Sequence, residues 1–287
     1  MSILVEVKRL LREKQINPKK RLGQNFLVNS LVYNNIIQAA KLNEDDWVLE
    51  IGAGFGFLTK LLAQRVFKVV TIEIDKEIVK IIKKQLEGFK NIEIIEGDIL
   101  KLDLRLIIPK GQRIKVVANL PYYITTPIIF KLLQDKEFIS CLTIMVQKEV
   151  GERIVAKPGS KDYGILSIMI QYHALVKKGM LVKNSCFFPS PKVDSVIINL
   201  EMLDKPRVFV NNETFFYNSV KGLFGQRRKM VINNLKQFKV LNNYDHDFIV
   251  RLLSGLNINP KLRPEKLSLE EIANLSNALS SLSTSSS

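Results

Sequence analysis

The sequence has few residues that support redox or metal chemistry. It contains 2 cysteines and 2 histidines in 287 residues. Cys141 and Cys186 form no CxxC pattern, and both precede or lie within apolar runs, so we expect buried free thiols in a reducing compartment. The two histidines lie far apart in the sequence, and these ligand types cannot assemble a zinc site. We therefore predict no metal centre.

Long apolar runs and acidic residues are also scarce. No stretch approaches the roughly 20 apolar residues of a membrane-spanning helix, and the N-terminus lacks the apolar core of a signal peptide. We therefore expect a cytoplasmic protein with no membrane partner. Only 28 Asp and Glu face 43 Lys and Arg, which gives a formal net charge of +15. This excess predicts a polyanionic partner, nucleic acid before a membrane surface, although a basic housekeeping protein is the alternative.

Strands and helices alternate through the first half of the chain. We predict strands at residues 47–51, 68–74, 92–95, before Asn119 and at 142–146, and helices at 30–41, 57–65, 78–86 and 127–133. This spacing predicts an α/β fold with a parallel, doubly wound sheet that is covered on both faces.

The pattern loosens after residue 147. We predict a strand at 194–200 and helices at 215–224, 229–238 and 248–256. A domain boundary near residue 204 divides the chain into a larger domain with a basic N-terminal segment (1–204) and a smaller helical domain (205–275). The Ser-rich tail, residues 276–287, is expected to be disordered.

A glycine-rich loop and two acids point to a nucleoside ligand. The loop Gly52-Ala53-Gly54-Phe55-Gly56 directly follows a strand, and glycine lets a ligand lie against the backbone. Its spacing is not the dinucleotide G-x-G-x-x-G, and no nearby basic residue could hold a pyrophosphate. Glu73 and Asp98 end the next two strands, where acids can take ribose hydroxyls and an adenine amine. These features together predict S-adenosylmethionine.

The stretch Asn119-Leu120-Pro121-Tyr122-Tyr123 follows a buried strand at 114–118. Pro121 cannot continue a strand, so the stretch lies at the carboxyl edge of the sheet, where open α/β folds bind ligands. An amide, two backbone carbonyls and an aromatic face suit a planar base that carries an amino group. The Asn119 side-chain oxygen and the carbonyl of Leu120 or Pro121 can accept the two N–H bonds of that amine. The amine lone pair then turns toward a methyl donor, and no strong general base is needed.

Motifs spread over most of the chain carry a family resemblance. The chain resembles the bacterial small-subunit (16S) ribosomal RNA adenine dimethyltransferases and their eukaryotic relatives in the following strings: residues 19–27 (KKRLGQNFL), 50–54 (EIGAG), 119–122 (NLPY), 147–150 (QKEV), 187 with 189–195 (F and PSPKVDS), 227–229 (RRK) and 263–267 (RPEKL). Position 123 is Tyr where some members have Asn.

The resemblance implies a class I methyltransferase sheet with a small helical C-terminal domain. It also implies dimethylation of two adjacent adenosines in a hairpin near the 3′ end of 16S rRNA, in the immature 30S subunit, by a monomer that uses S-adenosylmethionine and serves small-subunit biogenesis. The implied cofactor contacts are Asn25, Leu27, Gly52, Glu73, Asp98 and Asn119. The target base must leave its stack, and Tyr122 offers one aromatic face. The other implied face is Phe187, which without the resemblance would read as a core residue.

Two basic clusters are candidates for RNA phosphates. They are Lys19, Lys20 and Arg21 near the N-terminus, and Arg227, Arg228 and Lys229, which we place on a helix of the small domain. Contacts of this kind position RNA without reading its sequence.

Three alternatives remain at this point. The first is a 23S rRNA adenine methyltransferase of the macrolide-resistance type, against which Leu120 and residues 263–265 argue. The second is an assembly factor or a transcription-factor relative without activity, against which the intact glycine loop, Glu73, Asp98 and Asn119 argue. The third is a small-molecule methyltransferase, which has no use for the charge.

Overall fold

The computed structural model describes residues 2–284, and these residues contain nine strands. The strands are β1 (Phe26–Leu27), β2 (Trp47–Ile51), β3 (Lys68–Glu73), β4 (Ile92–Glu96), β5 (Ile114–Asn119), β6 (Ile139–Gln147), β7 (Ala174–Val182), β8 (Phe187–Phe188) and β9 (Ser195–Met202). Seven of them form a sheet in the order β4-β3-β2-β5-β6-β9-β7, and β1 pairs with β8 separately.

Eleven α-helices accompany the strands within residues 2–284. They are α1 (Ile3–Glu13), α2 (Ser30–Ala40), α3 (Phe57–Ala63), α4 (Lys76–Gln85), α5 (Thr125–Gln134), α6 (Lys148–Val155), α7 (Ile165–His173), α8 (Glu213–Gly225), α9 (Val231–Leu235), α10 (His246–Gly255) and α11 (Leu269–Thr284). None of the helices in this part of the chain is long and apolar enough to cross a membrane.

The sheet is parallel through β4, β3, β2, β5 and β6, as the alternation of strands and helices predicts. The strand predicted at 194–200 joins the sheet as β9 and runs antiparallel to β6, from Cys141↔Glu201 to Gln147↔Ser195.

Local sequence explains how the helices of the first unit begin and how the central strands are buried. Asp75 accepts the Glu77 backbone N–H and so caps α4, and Asn29 caps α2 through the Val32 N–H. Such caps satisfy backbone donors that a helix leaves free at its start. The central strands are apolar on both faces, as in other sheets covered on both sides, and Val117 of β5 is fully buried.

The chain divides into two compact units. The first comprises Met1–Gly151 and Leu175–Met202, and the second comprises Glu152–Ala174 and Leu203–Ser287. The predicted boundary near residue 204 matches one border. It wrongly leaves 152–174 in the first domain, because Tyr172 of α7 packs its ring on Phe216 of α8, with centroids 4.7 Å apart.

The Ser-rich tail is also more ordered than predicted. Helix α11 continues through Thr284, so the prediction of disorder is wrong for residues 276–284. Apolar residues within the Ser-rich stretch explain this, since Leu279 is fully buried and α11 packs on α8. Residues 285–287 lie outside the described residues.

Candidate active site

A pocket of the first unit lies at the carboxyl ends of β2, β3, β4 and β5. Parallel strands bring their carboxyl ends to one edge, which is where open α/β sheets bind ligands. The pocket brings together every cofactor-binding residue and four of the five catalytic residues predicted from the sequence. They are Asn25, Leu27, Gly52, Glu73, Asp98, Asn119, Leu120, Pro121 and Tyr122.

The glycine loop between β2 and α3 has a backbone that favours glycine. Gly52 has φ +80° and Gly54 has φ +53°, which residues with a Cβ rarely adopt. The Gly54 N–H donates to Glu73 Oε2 at 3.1 Å. The loop is therefore held against the end of β3.

Glu73 is a buried carboxylate with spare acceptor capacity. It is 7% exposed, and its Oε1 accepts the Asp75 N–H at 2.9 Å. Burial raises the pKa of Glu73, while the hydrogen bonds from the Asp75 and Gly54 backbones act to lower it. Each carboxylate oxygen accepts one backbone bond here and can accept another. The geometry suits a pair of sugar hydroxyls.

Asp98 follows β4 and lines the same pocket. Its Oδ1 accepts the Leu100 N–H at 3.0 Å, which orients the half-buried side chain. A carboxylate in this place can accept a hydrogen bond from an amino group.

Asn119 at the end of β5 carries an unpartnered buried atom. Among the described residues, its side-chain oxygen Oδ1 is buried and has no hydrogen-bond partner. Such a group is costly unless a ligand supplies a donor. The neighbouring Pro121 carbonyl is already occupied, because it accepts from Thr125 Oγ1 at 2.9 Å and from the Ile124 N–H at 3.3 Å. Of the two backbone acceptors considered for an amine, this favours Leu120.

Tyr122 is fixed by a partner that the sequence analysis missed. Its hydroxyl lies 2.6 Å from the Oγ of Ser195, and either group can donate. Ser195 begins β9 and is fully buried. Burial raises the pKa of Tyr122, so the phenol stays neutral at ordinary pH. Ser195 is the last residue of the PSPKVDS motif, and membership of that motif is the sequence feature that could have identified it as a site residue.

Phe187 does not line this pocket. It pairs with Leu27 in the β1–β8 ladder, is 3% exposed and lies in a hydrophobic cluster with Val182 and Ile197. The prediction that Phe187 offers an open face to a base is therefore wrong for this structure. Burying a large apolar side chain such as Phe187 in the hydrophobic cluster is more favourable than leaving it exposed at the edge of the pocket. Its neighbour Phe188 is covered by Lys8, whose Nζ lies 5.1 Å from the ring centroid.

The N-terminal basic cluster divides into residues with different contacts. Lys19 Nζ forms ion pairs with Asp75 at 2.8 Å and Glu77 at 2.9 Å. Its hydrogen bonds to Asp75 and then Glu77 raise the pKa of the lysine. Its charge is therefore used within the protein. Arg21 is exposed, and the side chain of Lys20 lies outside the described part of the chain.

Gln24 joins Lys19 in holding the segment before β1. Its Oε1 accepts the Lys19 N–H at 2.7 Å, and its Nε2 donates to Asp75 Oδ2 at 2.7 Å. Burial acts to raise the pKa of Asp75, but the bonds from Lys19 and Gln24 outweigh it and the pKa is lowered. The segment that carries Asn25 and Leu27 is thus fastened to the start of α4.

The second basic cluster lies in a turn. Helix α8 ends at Gly225, and residues 227–229 lie in the turn that follows it. The prediction that they lie on a helix is therefore wrong. The Arg227 guanidinium donates to the carbonyls of Lys161 at 2.7 Å and Tyr163 at 2.8 Å. Arg228 and Lys229 are exposed. Arg227 therefore supports the second unit, and the other two are free to meet a polyanion.

The chain is similar to known proteins over most of its length. The family model for ribosomal RNA adenine dimethylase matches residues 15–281. The chain is 45% identical over 260 residues to the ribosomal RNA small subunit methyltransferase A of Clostridium acetobutylicum, with 91% of this chain and 93% of the relative covered.

Two solved structures are similar over most of the chain. A dimethyladenosine transferase from Plasmodium falciparum is 32% identical with a TM-score of 0.76, and the match covers 87% of this chain and 95% of that one. The 23S rRNA methyltransferase ErmE is 26% identical with a TM-score of 0.68, and the match covers 89% and 100%.

Proposed function

Because this chain belongs to the ribosomal RNA adenine dimethylase family, we propose that its substrate is a hairpin near the 3′ end of 16S rRNA, in which it dimethylates two adjacent adenosines. The chain is an S-adenosylmethionine-dependent rRNA adenine dimethyltransferase with a class I methyltransferase fold. The observation that carries the finer proposal for the site is the unpartnered Asn119 Oδ1 among the lining residues of the pocket.

The proposal of 16S rather than 23S rRNA is supported by the sequence identity of this chain to the two kinds of relative. The relative named as a small-subunit methyltransferase is 45% identical, whereas the 23S rRNA methyltransferase is 26% identical. Leu120 and residues 263–265 point the same way. The substrate form is the immature 30S subunit, on which the protein acts as a monomer.

The residues of the pocket fit the cofactor. Gly52 adopts a positive φ and has no Cβ, so a ligand can lie against its backbone. Glu73 retains acceptors for hydroxyls, and Asp98 retains an acceptor for an amine. Asn25, Leu27 and Asn119 complete the set that would hold it. S-adenosylmethionine, when bound, supplies an electrophilic methyl group on a positively charged sulfur.

Asn119 and Leu120 prepare the adenine amine. The Asn119 Oδ1 accepts one N–H and the Leu120 carbonyl accepts the other. This draws the nitrogen lone pair out of conjugation with the ring and leaves it directed away from the two acceptors. Preorganised acceptors of this kind lower the barrier without a strong general base. Each new N–C bond is accompanied by loss of one amine proton to solvent, so the second transfer proceeds with the single N–H that remains held by one of the two acceptors. The Tyr122 hydroxyl is held by Ser195, and the aromatic ring of Tyr122 stacks on the target base and fixes its orientation.

Methyl transfer to purified ribosomal particles tests the substrate. Immature 30S particles and, in a separate reaction, 50S particles from a strain that lacks its own small-subunit enzyme are incubated with the full chain, and methylated adenosines are mapped in the 16S and 23S rRNAs. We expect two adjacent dimethylated adenosines in the 3′ hairpin of 16S rRNA and none in 50S particles. Methylation of 23S rRNA alone would overturn the assignment. Dimethylation at separated 16S positions would refute the adjacent pair.

A further inference from the structure

Tyr123 is an exposed aromatic residue at the mouth of the cofactor pocket. It is 49% exposed, yet it lines the pocket together with Gly23. Its ring rests on Gly23, since a Cβ built there would lie 3.2 Å from Tyr123 Cδ1 and 3.7 Å from Cε1. Tyr123 thus joins the segment before β1 to the turn after β5, which reach the pocket from separate parts of the chain.

Gly23 is suited to receive this ring. Its φ of +60° lies in the region that favours glycine, and a side chain there would push the ring away. The segment that carries Gly23 is also the one that carries Asn25 and Leu27, two of the proposed cofactor contacts.

The charges around Tyr123 indicate which ligand it faces. Burial raises its pKa, followed by the nearby carboxylates of Asp98 and then Glu73, while Arg21 acts to lower it. Both carboxylates belong to the proposed nucleoside part of the pocket. Tyr123 lines the same pocket as Asp98 and Glu73 and is half exposed, and an aromatic ring in that place can cover a nucleoside and exclude water from it.

We propose that Tyr123, resting on Gly23, covers the cofactor side of the pocket and slows the release of S-adenosylmethionine. This rests on the proposed cofactor contacts of Glu73 and Asp98. A single ring contact is worth about 0.5–1.5 kcal/mol. Its loss therefore changes affinity by roughly two- to tenfold.

The test measures cofactor binding directly on the full chain. Calorimetry and stopped-flow dissociation of S-adenosylmethionine are compared for the parent, Tyr123→Ala and Tyr123→Phe, with Phe67→Ala as the matched control. Phe67 is 61% exposed in the same unit but does not line the pocket. We expect Tyr123→Ala to weaken binding about fivefold, chiefly through faster release. Tyr123→Phe keeps the ring and should bind like the parent, as should Phe67→Ala.

Each other outcome has a defined meaning. If the parent protein binds S-adenosylmethionine and Tyr123→Ala binds and releases it equally well, the inference is wrong. If Tyr123→Ala binds and releases the cofactor like the parent, and steady-state methylation of immature 30S particles shows a raised KM for RNA, Tyr123 faces the RNA and the inference is also wrong. If the parent does not bind the cofactor, the proposed contacts of Glu73 and Asp98 fail before this question arises. Thermal unfolding of each variant separates these results from loss of the fold.

Discussion

Asn119 combines a buried, unpartnered oxygen with a position between the cofactor contacts and Tyr122. Asn119→Ala removes the acceptor without adding bulk, so the fold and RNA affinity should survive. Loss of one preorganised polar group costs about 2.7–4 kcal/mol of transition-state stabilisation, which predicts at least about a hundredfold slower methyl transfer. Single-turnover methylation of immature 30S particles measures this, with exposed Asn34→Ala as the control. Transfer by Asn119→Ala at the parental rate would show that the residue is structural.

Ser195 contacts Tyr122, the proposed base-binding residue, but does not line the pocket itself. Ser195→Ala leaves the Tyr122 hydroxyl without its 2.6 Å partner and removes a contribution of about 0.5–1.5 kcal/mol. We expect a roughly two- to tenfold slower single-turnover rate, as that energy implies, with unchanged cofactor affinity. Tyr122→Phe should show a similar loss, and the double variant should lose little more, because both changes break one bond. If the losses of the two single variants add up in the double variant, Ser195 and Tyr122 act independently and the prediction is wrong.

Glu50 makes stability depend on pH. The side chain is fully buried, accepts from Thr59 Oγ1 at 2.6 Å and Thr71 Oγ1 at 2.7 Å, and its pKa is raised to about 8, mainly by burial. Between its ordinary pKa of 4.5 and this value, the folded state keeps a proton that the unfolded state has released. The free energy of unfolding should therefore fall as pH rises through that window, by at most about 1.4 kcal/mol per pH unit.

Glu50→Gln removes this titration while it retains an acceptor for both threonines. Denaturant unfolding of the parent and the variant from pH 5 to 8 should give curves that diverge, with the variant gaining relative stability toward pH 8. Parallel curves would mean that Glu50 is ionised in the folded protein across this range.

Residue-level prediction from sequence succeeds where the backbone pattern sets the position of a side chain. Glu73, Asp98 and Asn119 end or follow strands that alternate with helices, so their convergence follows from the fold. The partner of Tyr122 is not accessible in this way, because Ser195 reaches it through an antiparallel strand far along the chain. Phe187 fails because its exposure depends on the β1–β8 pairing, and two-residue strands leave almost no periodicity to read.

At the scale of elements, the segment from Lys19 to Leu27 is positioned by charge. Lys19 and Gln24 tie it to Asp75 at the start of α4. Lys19→Ala should therefore loosen the segment and weaken S-adenosylmethionine binding, by about tenfold if the loosening costs as much as one weak charge-assisted hydrogen bond. It should leave the salt dependence of RNA binding nearly unchanged.

Arg21→Ala is the matched comparison, since Arg21 is exposed two residues away. We expect the opposite pattern, with normal cofactor affinity and a smaller salt slope of RNA binding. Calorimetry and RNA titrations over a range of salt concentrations measure both. If Lys19→Ala flattens the salt slope and leaves cofactor affinity intact, the lysine serves RNA after all.

Elements with strong periodicity are predictable, and those set by tertiary pairing are not. The parallel strands and their helices follow from apolar runs and glycine or acidic residues at their ends. Strand β7 has exposed lysines, Lys177 and Lys178, within it, so its sequence does not read as a strand. It is stabilised by its place beside β9 at the edge of the sheet.

At the scale of the whole molecule, composition predicts a polyanionic partner but not which charges meet it. The net charge of +15 includes Lys19 and Arg227, whose side chains are engaged within the protein. The border between the units near residue 204 could be predicted from the sequence, because the alternation of strands and helices gives way there to helices alone. The assignment of 152–174 to the second unit could not, since it depends on aromatic packing between α7 and α8.

The exposed pair Arg228 and Lys229 provides the test of RNA binding by the second unit. Replacing both with Glu should weaken binding to immature 30S particles and lower the slope of log affinity against log salt by about 1 per residue, because each lost phosphate contact releases one fewer counterion. Thermal stability and cofactor affinity should stay normal. Arg227→Ala is the comparison variant, and it should lower thermal stability because the carbonyls of Lys161 and Tyr163 lose their donor. An unaltered salt slope in the double charge reversal would place the RNA contacts elsewhere on the protein.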